Sequence, residues 1–263
     1  MNIFSGMVLN GFETFLLVFV RMTGLFVIAP IFGRQNVPTH TKIGFAFFNA
    51  VILVNTVSLQ KADMEAGILE YALLVGKEFL VGVAIGYVAY MFFSAIYTAG
   101  QLIDTQIGFG MVNVLDPLSN IQISVTSNFY YIMCMLVFLT IKGHHALIKA
   151  LFDSYSLIPI GKAAFNDILL NDLLRIFAET FSIGFRICAP VTAAIIVVDV
   201  ALGIISKSIP QINVFVVGIP LKLIVGMALL IITLPYFMSL IKSLTALINS
   251  ETMNILKDLV PAK

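Results

Sequence analysis

Long uncharged runs separated by short polar interruptions set the pattern of this chain. Phe79–Ile103 and Pro117–Ile141 carry no charge from end to end, and each is long enough for a helix to cross the hydrocarbon core of a bilayer. Ile43–Leu59 is a shorter uncharged run, near the lower length limit for spanning. Leu223–Ile241 is the last run of span length. Glu13–Phe32 reads as helical with Arg21 in its middle, and Ala29-Pro30 and Gly33 should end it; residues 1–12 could form an amphipathic start. Polar connections are predicted at Arg34–Lys42 and Lys61–Glu70, followed by a helix from about Leu69 through Lys77-Glu78. Ile123–Ile141 predicts another apolar helix, ending at Lys142-Gly143-His144-His145. Phe152–Asp172 reads as an extramembrane turn or short helix. Leu173–Ile205 is apolar but interrupted by Arg175, Glu179, Arg186 and Asp199, with a kink expected at Pro190. Lys242–Lys263 reads as a polar tail, helical in part.

Ala99–Pro117, AGQLIDTQIGFGMVNVLDP, is the most informative stretch. On a continuing helix Gly100, Asp104 and Gly108 share a face, with Gln101 beside Asp104. Gly108 and Gly110 then flank Phe109 and free the backbone from helical geometry. Asp116-Pro117 closes the segment, because a residue before proline is pushed out of the helix. Non-helical backbone at membrane depth persists only when buried in protein or lining an aqueous cavity. A ligand site, a pore lining or a plug would each use such a segment. Upstream, Gly82, Gly86, Tyr90, Ser94 and Thr98 recur every fourth residue. Gly82-x-x-x-Gly86 lets another helix come close, either within this chain or on another subunit.

Composition narrows the class. The 263 residues are 60% hydrophobic and 11% charged, with mean hydropathy +1.03, where a soluble domain carries about 25% charged residues. An all-α integral membrane chain is expected, as one domain over 1–263. The formal net charge of +1 suggests no nucleic-acid partner. Cys134 and Cys188 lie in apolar runs and read as small buried hydrophobes. The N-terminus lacks a basic region and a small-residue cleavage site, so no cleaved signal peptide is expected. No H-E-x-x-H, S-x-x-K, G-x-S-x-G or phosphate loop is present, so no enzyme, cofactor or metal site is expected. His144 and His145 are adjacent, not four apart, and form no ligating face.

Charges stand where lipid would be expected: Arg21, Asp104, Asp116, Arg186, Asp199, Lys207 and Lys222. An ionised group at mid-membrane costs at least about 2.5 kcal/mol. These groups must pair with one another, pair with other chains, or form an ion relay. Val197–Lys222 is a second broken segment, with Lys207, Gln211 and Asn213 around Pro210. It fits a substrate-binding break in a transporter or a hairpin tip that docks on a partner.

Four blocks carry a resemblance over nearly the whole chain. They are Arg21-Met22-Thr23-Gly24 with Ala29–Gly33, Pro38 and Lys42; Lys77-Glu78 with Gly82 and Gly86; AGQLIDTQIGFGMVNVLDP; and Pro190 with Val197–Lys222. In this order and spacing the chain resembles the FliR family of flagellar export-gate proteins, the R subunit of the type III secretion gate. The resemblance implies a non-enzymatic subunit of the bacterial inner membrane and flagellar basal body. Its partners would be the P and Q subunits (FliP, FliQ), an associated B subunit (FlhB), membrane lipid and unfolded flagellar export substrates. Residues 1–175 would be P-like and 176–263 a Q-like hairpin with its tail. The family's plug corresponds to 107–120, with Ile107, Gly108, Phe109, Gly110, Met111, Val112, Asn113, Val114 and Leu115 as plug and pore. Gln101, Asp104, Gln106, Asp116 and Pro117 would anchor it. Arg21, Lys42, Glu78, Arg186, Asp199, Lys207, Gln211, Asn213 and Lys222 would make polar contacts with other subunits. The alternative is a self-contained secondary transporter with an Asp104/Asp199 relay.

Overall fold

A computed structural model describes residues 2–33, 37–56, 68–109, 124–211 and 213–261. Within them lie seven helices and no strand: α1 (Asn2–Ile28), α2 (Thr39–Thr56), α3 (Ile68–Ile107), α4 (Val125–Thr140), α5 (Gly143–Leu157), α6 (Asp167–Ser208) and α7 (Val214–Asp258). Four are long and apolar enough to cross a membrane: α1 from Gly11, α3, α6 and α7. α4 and α5 together make a fifth if they cross as one broken span. The chain is thus an all-α membrane protein.

Local chemistry sets the helix ends. Pro30 follows α1, and the chain turns with Gly33 N–H donating to the Ala29 carbonyl at 2.6 Å. Gly108, at φ +101°, stops α3, since the left-handed region disfavours any residue with a Cβ. Ser124 caps α4, its hydroxyl accepting the Ser127 N–H at 3.2 Å. Lys142, at φ 59°, makes the sharp step from α4 into α5. Ile209-Pro210 ends α6, whereas Pro190 lies inside α6, and Pro220 and Pro235 lie inside α7, without ending either helix.

Three expectations need correction. Lys42 belongs to the first turn of α2 instead of a polar connection. His144 and His145 begin α5 instead of closing a helix, and α5 runs to Leu157 before the irregular stretch around Pro159 and Gly161. The supposed polar tail from Lys242 is the C-terminal part of α7. Ile241, Leu244, Ile248, Ile255 and Leu259 recur at helical spacing and are buried, so an amphipathic helix was hidden in a mixed composition.

Packing divides the chain into two compact units: residues 1–91, 142–176 and 245–263, and residues 92–141 and 177–244. The first unit buries Leu17, Met22, Leu25, Leu53, Ile85, Leu151 and Ile255 completely. Arg175 joins it to the end of α7 through Glu251, 2.6 Å away. The second unit is built around Phe93, Ile96, Tyr130, Phe138, Val191 and Phe237, with the Tyr130 and Phe237 rings stacked at 4.1 Å.

The glycine stripe of α3 packs within the chain. A Cβ on Gly82 would fall on the backbone carbonyl of Arg21, and one on Gly24 would come within 2.5 Å of the Phe79 carbonyl oxygen. Gly86 meets Leu25 and Ile28 in the same way. α1 and α3 therefore touch backbone to backbone in the first unit. Gly82→Ala is expected to separate them at a cost of about 1–3 kcal/mol, read as a lower melting temperature in detergent. Gly76→Ala, with open space around the new methyl, is the control and should melt no lower than the native chain.

Candidate functional site

The described ends of the segment between α3 and α4 are tied together by one carboxylate. Asp104 is buried on the last turn of α3. It accepts the Ser124 hydroxyl at 2.5 Å and the Thr126 N–H at 3.2 and 3.1 Å on its two oxygens. A residue of α3 thereby supplies an acceptor to the first turn of α4, where backbone donors have no helical partner. Ser127, in the same turn, donates its hydroxyl to the Tyr97 carbonyl at 2.8 Å. A Cβ on Gly100 would collide with Ser127, so the small residue on α3 lets α4 seat closely.

Ile107 and Gly108 differ in role. Ile107, expected in the plug, is fully buried and packs over Gly226 of α7. Gly108 provides the turn, and Phe109 is half-buried beyond it. Gly110, Met111, Val112, Asn113, Val114, Leu115, Asp116 and Pro117 lie outside the described residues. Gln101 is exposed. Gln106 lines a cleft of about 260 Å³ with Thr105, Gly108, Leu202, Gly218 and the Asp199–Lys222 ion pair. That pair joins α6 to α7 near the hairpin turn. Asp199 and Lys222 thus satisfy each other within the chain. With both Asp104 oxygens also engaged, neither carboxylate of the supposed relay is stranded.

The largest correction concerns Arg21 and Glu78, expected to meet other subunits. Both side chains are fully buried and face each other, Arg21 Nε to Glu78 Oε2 at 2.6 Å. The guanidinium also donates to Ser154 Oγ at 3.0 Å and to the Ile158 carbonyl at 3.3 Å, and lies 4.0 Å from the centre of the Tyr155 ring. Glu78 Oε1 accepts the Gly161 N–H at 2.8 Å. Each charge is thus paired and hydrogen-bonded, the condition for tolerating burial. The remaining expected contacts stay open to other chains. Lys42, Arg186, Lys207 and Gln211 make no side-chain hydrogen bond or ion pair among the described residues, and Asn213 is exposed.

Sequence reasoning missed Ser124, Ser154, Tyr155 and Gly161. For Ser124 a signal existed: a serine directly before an apolar helical run is an N-cap. The others are remote from Arg21 and Glu78 along the chain, and only folding brings them together.

Comparison with known proteins gives a consistent result. Residues 12–248 match the family described as bacterial export proteins, family 1. The chain is 38% identical over 256 residues to the flagellar biosynthetic protein FliR of Bacillus subtilis, spanning 96% of this chain and 98% of that relative. It is 29% identical over 241 residues to FliR of Escherichia coli, covering 92% and 90% of the two chains. It is 30% identical over 226 residues to FliR of Aquifex aeolicus, covering 84% and 85%.

The buried pair generates a double-mutant prediction. Arg21→Met or Glu78→Leu alone leaves one uncompensated buried charge, an expected loss of about 3–5 kcal/mol. Arg21→Met with Glu78→Leu removes both charges and should lose clearly less than the two single losses summed. Thermal unfolding of the purified variants in one detergent reads the difference.

Proposed function

Because this chain belongs to the bacterial export proteins, family 1, as a multi-pass inner-membrane protein of the flagellar export machinery, we propose that it is a structural and gating subunit. In this reading it forms part of the pore through which unfolded flagellar proteins leave the cell. Residues 107–120 form the plug, and other components supply the energy. The P, Q and B subunits (FliP, FliQ, FlhB) are its neighbours. Residues 1–175 act as the P-like part and 176–263 as the Q-like hairpin.

The observation that carries this reading is the clamp at Asp104. It holds together the ends of a stretch whose sequence is apolar, with Phe109, Met111, Val112, Val114 and Leu115, and which begins at a left-handed glycine. A fixed base under such a stretch suits a hydrophobic constriction, which closes a pore by excluding water. Methionine and aliphatic side chains seal without specificity and can yield to varied polypeptides. The poor coverage of the hairpin helices adds support. The apolar windows of α6 and α7 are only 28% and 11% buried, against 61% for α3. Such surfaces suit helices that complete their packing on other subunits.

Two experiments test the reading. Deleting Gly110–Val114 should leave the complex assembled while raising ion conductance of the membrane; an assembled deletion variant with native conductance would remove the plug assignment. Asp104→Asn keeps an oxygen acceptor for Ser124 and Thr126, and should retain most export. Asp104→Leu removes the cap, at about 1 kcal/mol or more, and should reduce both stability and closure. Export abolished by the asparagine variant in a stable complex would point to proton transfer through Asp104 instead.

A further inference from the structure

We propose that the start of α6 and the end of α7 form a proton-sensitive clasp, in which the Asp172 and Asp258 carboxyls share one proton and thereby hold the end of α7 against the turn before α6. The inference is independent of the gate-subunit reading. All its parts lie in the first unit. The Ala164 N–H donates to the Leu259 carbonyl at 3.0 Å, and the Asn166 side-chain amide donates to the Asp258 carbonyl at 3.4 Å. Arg175 reaches Glu251 at 2.6 Å and Asp172 at 3.1 Å. Leu259, just past the end of α7, is fully buried. The clasp stands on the charged ends of helices much longer than a bilayer requires: α6 and α7 have 42 and 45 residues, against about 20 for a span. Asp167, Asp172, Arg175 and Glu179 mark the polar start of α6, and the apolar run Leu223–Ile241 of α7 ends well before Glu251.

Charge balance and one oxygen make this clasp sensitive to protons. Three carboxyl groups, Asp172, Glu251 and Asp258, gather around the guanidinium of Arg175, which binds Glu251 and Asp172 directly. Asp258 Oδ2 is buried and has no hydrogen-bond donor among the described residues. Within hydrogen-bond reach of its carboxyl stands the carboxyl of Asp172. Two ionised carboxylates so placed repel each other, whereas one proton between them makes an O–H···O bond. Burial, and then the Asp172 carboxyl, push Asp258 up to about 6, while the hydrogen bond with Asp258 holds Asp172 below the usual carboxylate range. On α6 Asp172 and Arg175 face Asp258, on α7 Glu251 does, and the turn before α6 brings the Asn166 amide. A carboxyl raised in the folded chain contributes stability that is complete below its unfolded pKa and is lost as pH rises through about 6. The clasp is therefore tight in mildly acidic solution and looser at neutral pH, which makes the end of α7 responsive to the aqueous compartment it faces.

The test reads hydrogen exchange of the Ala164 N–H in the full chain in detergent, corrected for the intrinsic effect of pH on exchange. Between about pH 5 and about pH 7.5 its protection should fall at least about threefold in the native chain. Asp258→Asn keeps the shape and can donate its amide to Asp172 at every pH. Its protection should stay constant across the range and exceed the native value at about pH 7.5. Asp172→Asn, which changes the other partner, should likewise flatten the profile. A native profile as flat as that of the Asp258→Asn chain overturns the proposal, as does an Asp258→Asn chain that keeps the native pH dependence. Because that variant is expected to gain protection at neutral pH, misfolding cannot imitate the result.

Discussion

An arginine and a glutamate sealed from solvent inside an apolar chain are the constraint on which the first unit depends. Neither Arg21 nor Glu78 has any exposed side-chain surface. Taking both from water costs several kcal/mol per ion, and their attraction offsets this only with good geometry and a partner for every remaining donor and acceptor. Ser154, the Ile158 carbonyl, the Gly161 N–H and the face of Tyr155 provide those partners. The pair adds little net stability. α1, α3, α5 and the turn after it meet at these two ions, and Gly24 and Gly82 let the α1 and α3 backbones touch beside them.

The second unit treats its charges differently. The buried Asp104 carboxylate oxygens face the donors of a helix start, which carry partial positive charge. Asp199 and Lys222 stay partly exposed and join two arms of a hairpin. These are three solutions to one problem: an internal ion pair, a capping interaction and a surface bridge. Arg186 has none of them among the described residues, and it is exposed beside Phe181 and Phe185. Helix windows as poorly covered as those of α6 and α7 suit a chain that assembles with other proteins.

The plug proposed for residues 107–120 would need a firm base and a yielding tip. Asp104, Ser124, Ser127 and Ile107 supply firmness through hydrogen bonds and close packing. Gly108 supplies the change of backbone direction at the end of α3, where firmness must give way.

Much was legible before folding. Uncharged runs of span length determined the helices and their membrane character, because bilayer thickness and helix rise translate directly into residue counts. Ordered blocks such as AGQLIDTQIGFGMVNVLDP determined the family. Local rules also placed the breaks at Pro30, Gly108 and Pro210. Tertiary structure alone decided which charges meet. Arg21 is 57 positions from Glu78 and 133 from Ser154, and no local periodicity encodes such a distance. It also decided that the last residues of α7 belong to a core, since an amphipathic helix becomes buried only when another surface faces its apolar side. Pairing and burial are relations between distant segments, so they exist only once the chain has packed.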